Sequence, residues 1–202
     1  AVSTVDGVSA IVELKCETDF VAKSDQFSNL VQEIATIVAI EGEDAASKKS
    51  DAIDDLKVVL KENIDLGRVV RIAAADGAVV DTYVHRQDGR GVLAVAVELQ
   101  GGSVDLAHDI AVHIAFAKPA YLNRDEVPAD EVATERETLV GITKAEGKPE
   151  AALDKIVEGR LTGWFKERVL LEQNYVKDEK QTIAALVGDA SITRFALVSI
   201  GS

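Results

Sequence analysis

Apolar and polar residues alternate through residues 9–15 (SAIVELK), a β-branched stretch whose pattern suits a strand with one buried face. Thr18 and Asp19 break that pattern. From Ser24, with Asp25 and Gln26 behind it, Phe27, Leu30, Val31, Ile34 and Ile37 recur at the spacing of one helix face and predict an amphipathic helix. The polar stretch 41–50 reads as a loop, after which Ile53, Leu56, Val59 and Leu60 mark a second helix. Three β-branched stretches follow, at 66–75, 78–85 and 92–99, separated by Asp76-Gly77 and Asp88-Gly89, both hairpin-type turn signals. An antiparallel meander is the economical expectation.

Gly101-Gly102 closes this predicted sheet, and from Val104 the spacing becomes helical, with Leu106, Ile110, Val112, Ile114 and Phe116 running to a stop at Pro119. A boundary between subdomains 1–101 and 102–202 is expected there. Pro128 opens a further helix, and Gly147-Lys148-Pro149 ends it and begins the next, because Gly suits the position after a helix and Pro its first turn. The result is a helical hairpin over about 129–168. Its second arm carries Leu153, Ile156, Val157, Leu161, Trp164 and Phe165 as one apolar stripe that must pack on something. A strand at 169–176, a short helix at 182–187 and a last strand at 191–200 complete the pattern. Both halves mix helices with antiparallel strands, so the fold class is α+β: two subdomains, each a small antiparallel sheet packed by helices, plus the protruding hairpin.

With 202 residues, 47% of them hydrophobic and 28% charged, the chain can bury a substantial core and has the balance of a folded globular protein. Its 35 Asp+Glu outnumber 22 Lys+Arg, and a net charge of -13 repels phosphate backbones and anionic lipid headgroups. Neither nucleic acid nor a membrane is an expected partner. Cys16 is the only cysteine, which excludes an intramolecular disulfide and fits a reducing, cytoplasmic compartment. Apolar runs such as 34–40 fall far short of a bilayer span. Methionine is absent even from position 1, so the sequence reads as beginning after processing, or as a fragment.

Residues 141–148 (GITKAEGK) come nearest to a phosphate-binding loop, but they hold one residue too many and are followed by Pro149 where a hydroxyl would ligate magnesium. They also fall in the helical hairpin, so nucleotide binding there is not expected. Of the histidines, His85, His108 and His113, the last two are five residues apart and project from different faces of a helix, which disfavours a metal site. Cys16 reads more simply as a small buried side chain than as a nucleophile. No G-x-S-x-G, HExxH or CxxC occurs. Nothing in the residues indicates an enzyme, a catalytic site or a cofactor.

Thr18-Asp19-Phe20-Val21 (TDFV), between the first strand and the first long helix, asks for explanation. In one reading it is a helix entry, with Thr18 or Asp19 as the cap and Phe20 packed inward as a staple. In the other, Phe20 is an exposed aromatic wedge beside an acidic residue, suited to entering a partner's groove.

At these residues the chain resembles the bacterial translation elongation factor Ts family. The likeness runs through residues 12–23 (VELKCETDFVAK), 62–69 (ENIDLGRV), Tyr83-Val84-His85, Gly91-Val92-Leu93 and 110–119 (IAVHIAFAKP), and resumes at 147–150 (GKPE), 156–161 (IVEGRL) and 170–173 (LLEQ). It covers most of the chain in family order. It implies a two-subdomain core with a helical hairpin, without the small helical module with which the family usually opens.

The resemblance also implies function: guanine-nucleotide exchange on elongation factor Tu, by displacement of magnesium and phosphate contacts, with no nucleotide bound by this chain itself. Asp19 and Phe20 would approach the partner's nucleotide site, Thr18 and Val21 belonging to the same motif. Gly91 with Arg90 matches a loop that contacts the same partner domain, and His113 matches a histidine that presses near the phosphate-binding loop. Ser24 stands where Asn is common, and Arg90 where an apolar residue can occur. The alternative is a protein that binds elongation factor Tu, or another helical partner, through the stripe at 153–165 without moving nucleotide.

Overall fold

The structure, a computed structural model, describes residues 1–201. Two compact units divide them: residues 1–115 with 189–201, and residues 116–188. The first holds two three-stranded antiparallel sheets. One has the order β1 (Val2–Val5), β2 (Val8–Lys15), β3 (Asp65–Ala73), and the other the order β4 (Ala78–Gln87), β5 (Arg90–Gln100), β8 (Ser191–Ser199).

The strand predicted at 9–15 is β2, but it is buried on both faces rather than one. Ala10, Val12 and Leu14 join the core formed with α2 (Asp25–Glu41) and α3 (Ser50–Leu60), whereas Ile11 turns to the second sheet and packs with Ile72, Ala94, Ala96, Ala196 and Val198. Alanines on the facing strands let the two sheets approach closely. Between them Glu13 is also buried, at an irregularity in the β2–β3 register, with the Arg68 N–H donating to its Oε2 at 3.0 Å.

The expected meander is corrected here. β4 and β5 do form a hairpin, with Asp88 and Gly89 at φ 50° and 85° as a primed turn requires. β3, however, pairs with β2, so Asp76-Gly77 passes the chain from one sheet to the other. The C-terminal strand returns to β5, and the sheet therefore includes residues on both sides of Gly101; the compact units do not divide at that glycine. Sequence order alone carries no signal for such a return. A first strand, β1, is added by a turn at Asp6 and Gly7, both at positive φ.

The stretch 41–50, expected to be a loop, contains a 3-10 helix, Glu43–Lys49, because Ala45 and Ala46 are buried and hold it down. α2 begins where predicted, with Ser24 Oγ accepting from the Phe27 N–H at 3.3 Å. α4 (Val104–Ala117) likewise matches its predicted span.

In the second unit, α5 (Ala129–Ala145) and α6 (Glu150–Arg168) form the helical hairpin, with Gly147 at φ 70° between them. The stripe of α6 is satisfied within the unit: Val157, Leu161, Trp164 and Phe165 bury against Val127, Leu139 and Val169. Residues 141–145 of the phosphate-loop look-alike lie inside α5 and 146–148 form the turn to α6, so no strand precedes it and it is no phosphate-binding loop. The predicted strand 169–176 is instead a 3-10 turn, Leu170–Glu172, followed by the two-residue strand β6 (Asn174–Tyr175), which pairs with β7 (Asp178–Thr182). α7 (Ile183–Val187) starts at a Thr182 cap. Small antiparallel sheets and helices throughout make the fold α+β, as the sequence indicates.

Candidate functional site

The TDFV segment lies in the first unit, where β2 ends and α2 has not begun. It forms α1 (Asp19–Ala22), a single helical turn whose cap is Thr18, extended at φ -121°, ψ 155° and accepting from the Val21 N–H at 3.3 Å through its Oγ1. The helix-entry reading is therefore right about the cap and wrong about the ring. Val21, not Phe20, turns inward to the core of Phe27, Val31 and Ile64. Phe20 stands 82% exposed.

Asp19, next to Phe20, receives the Lys23 ammonium at 2.8 Å one turn on. That hydrogen bond and charge hold its carboxyl below the usual carboxylate range, with Arg90 adding to the effect, so the group beside Phe20 is an anion. Arg90 opens β5 after the hairpin turn. Its Nε is buried without a hydrogen-bond partner. Gly91 beside it is exposed, and a Cβ there would lie 3.1 Å from Val84 Cγ1, a close approach.

Asp19 and Arg90 border one cavity of about 670 Å³, with Glu13, Cys16 and Arg86 also in its wall. Glu13 Oε1 is buried there without a hydrogen-bond partner. The Cys16 thiol donates to the Thr18 carbonyl oxygen at 3.3 Å, and burial, with the Glu62 carboxylate nearby, pushes its pKa up. A thiol so held is protonated at neutral pH, which weighs against a nucleophile. Among the described residues no group of three or more His, Cys, Asp or Glu side chains is placed to hold a metal, and no helix is long and apolar enough to cross a membrane.

The structure thus brings Thr18, Asp19, Phe20, Val21, Arg90 and Gly91 into the same unit, with Asp19 and Arg90 on one cavity wall. It separates them by role. Thr18 caps the turn and Val21 is buried, while Phe20 and Gly91 are exposed and Asp19 and Arg90 half-buried. His113 is 0% exposed on α4, on the buried face with Ile110 and Ile114, so in the free chain its ring is not presented to solvent. The exposed histidine of that helix is His108, whose Nδ1 lies 2.9 Å from Asp81 Oδ2.

Sequence reading missed Glu62. Its carboxylate, in the turn after α3, accepts from the Glu17 N–H at 3.1 Å, from the Thr18 N–H at 3.0 Å and from the Thr18 hydroxyl. One carboxylate among 35 acidic residues carries no distinguishing mark in sequence; its place in the ENIDLGRV segment was the available hint.

Comparison with known proteins gives a consistent picture. A family model described as Elongation factor TS matches residues 17–202. The chain is 43% identical over 216 residues to elongation factor Ts of Clavibacter michiganensis subsp. michiganensis, covering all of this chain and 78% of that protein. It is also 43% identical to elongation factor Ts of Acidothermus cellulolyticus, over all of this chain and 77% of the relative, and 42% identical to that of Thermobifida fusca, over 97% and 75%.

Proposed function

Since the chain belongs to the elongation factor Ts family of translation elongation factors, we propose that it is a guanine-nucleotide exchange factor that speeds release of GDP from elongation factor Tu. The observation that carries this reading is Phe20: a large aromatic side chain 82% exposed on a turn anchored at both ends. An isolated apolar ring left in water beside an ionised Asp19 is suited to a groove on another protein.

The mechanism is linkage. A factor that binds the nucleotide-free partner more tightly than the GDP-bound partner must weaken GDP by the same factor. Phe20 wedges between elements of the partner that support its nucleotide site, Asp19 competes there for polar contacts, and the displacement removes ligands that magnesium and the β-phosphate need. Arg90 and Gly91 contact the same domain from the β4–β5 turn. This chain contributes no covalent step, and the activity belongs to the cytoplasm, where translation elongation proceeds.

The test is release of a fluorescent GDP analogue from elongation factor Tu, with magnesium present and the factor at catalytic amounts. Faster release is the expected result. Binding without acceleration would overturn exchange in favour of a holding protein. Against that alternative stands the burial of Val157, Leu161, Trp164 and Phe165 of its stripe within their own unit.

A further inference from the structure

Phe20 is carried on a helix of four residues, and one turn of helix has no stability of its own, since nucleation fixes several residues for a single hydrogen bond. Its direction must be imposed from outside. On the inner side Val21 is pinned in the core. On the outer side every polar group of Thr18 is engaged. Its N–H and hydroxyl donate to Glu62, its Oγ1 accepts from the Val21 N–H, and its carbonyl accepts from the Ala22 N–H at 3.2 Å and from the Cys16 thiol.

Glu62 is itself held on both flanks. Lys61 before it ends α3 in the left-handed conformation at φ 56°, and Ile64 after it is 0% exposed in the same core that receives Val21. The carboxylate takes two backbone N–H groups and one hydroxyl from residues 45 and 44 positions away. Hydrogen bonds to an ionised acceptor are the stronger kind. By contrast, the Asp19 and Lys23 pair is exposed and local, and such pairs contribute little.

We propose that Glu62 is the positioning residue for Phe20: it orients the capped turn so that the ring stands outward in the direction the partner needs. The inference rests on the exchange reading above. Glu17 and Thr18 are exposed, so water can satisfy their N–H groups when Glu62 is removed. The turn then loses its orientation while the fold persists. Because Glu62 acts through Phe20, its removal lowers the exchange rate at saturating factor more than it raises the concentration needed for half-saturation.

The experiment uses the full chain with Glu62→Ala, Glu62→Gln, Phe20→Ala and the double variant Glu62→Ala/Phe20→Ala, read by fluorescent GDP release from elongation factor Tu and by amide hydrogen exchange of Glu17 and Thr18. Glu62→Ala is expected to lower the saturating rate about tenfold and to deprotect both amides. Glu62→Gln, which keeps one acceptor oxygen, restores part of both. The double variant should be no slower than Phe20→Ala alone, since coupled residues do not add. Additive losses, or a Glu62→Ala variant with unchanged rate, would overturn the proposal. If the unaltered chain fails to accelerate release, the exchange reading falls and the amides decide: retained protection in Glu62→Ala refutes positioning by Glu62, and lost protection sustains it. Should Glu62→Ala unfold, Glu62→Gln alone decides, by the same two readouts.

Discussion

Val21 is buried to 8% exposure while Phe20, the residue before it, stands 82% exposed, so the smaller side chain is the anchor and the larger one is presented. Phe20→Ala should therefore leave stability within about 0.5 kcal/mol of the unaltered chain, as for surface positions generally, while sharply lowering exchange. Val21→Ala should do the reverse in stability, costing about 1–3 kcal/mol through lost burial. Urea unfolding beside GDP-release kinetics separates the two. A Phe20→Ala chain that unfolds early would show that the ring supports the fold.

Cys16 provides a chemical report on the same turn. Burial is the larger influence raising its thiol pKa and the Glu62 carboxylate the second, with Arg90 acting in the opposite sense. The pH profile of alkylation by iodoacetamide should therefore lie above that of an ordinary thiol. Arg90→Ala removes a stabilising cation from the thiolate and should shift the profile further up. Glu62→Gln removes an anion and should shift it down. A profile indifferent to both substitutions would contradict the electrostatic account.

The elements legible in the sequence were those whose signals are local. Ser24 with its periodic apolar residues gave α2, Gly147 and Pro149 gave the hairpin, and Asp88-Gly89 gave the β4–β5 turn. What escaped depended on distant partners. Nothing near 66–73 says that β3 pairs with β2 instead of β4, and nothing near 191–199 says that β8 returns to β5. At the site, Thr18 was legible as a cap. Whether Phe20 or Val21 turned inward was not, because either side chain suits the first turn of a helix and the choice is made by the core beneath. The contacts of Glu62 were hidden for the same reason: its partners are 44 and 45 residues away.

The second unit contains the only tryptophan of the chain, Trp164, packed edge-on to Phe165 at 5.1 Å with the Arg168 guanidinium 4.6 Å from its ring centroid. Its fluorescence therefore reports on the hairpin. Leu161 is 3% exposed in the same cluster, and Leu161→Ala should cost about 2–5 kcal/mol, seen as an earlier fluorescence transition in denaturant. An unmoved transition would mean that the stripe on α6 does not support the hairpin.

Glu98 ties the C-terminal strand into the first unit, and its titration gives that link a pH dependence. The residue is 3% exposed on β5. Its Oε1 accepts from the Ala75 N–H at 2.8 Å, and its Oε2 from the Thr193 hydroxyl at 2.6 Å and from Arg194 Nε at 2.9 Å. Burial pulls its pKa upward, but the hydrogen bonds from Thr193, Ala75 and Arg194, with the charge of Arg194, outweigh it and leave the group below the usual carboxylate range. A carboxyl whose folded pKa is depressed stabilises the fold above its unfolded pKa, and that contribution disappears as pH falls through the folded value. The unaltered chain should therefore lose stability on acidification below about pH 4.5 in part through this group. Glu98→Gln keeps an acceptor but no charge, so it should be less stable than the unaltered chain at pH 7 and should close that gap as the pH is lowered toward 3. Thermal unfolding of both chains across that range decides the matter: a gap independent of pH would show that the loss comes from packing, not from the charge of Glu98.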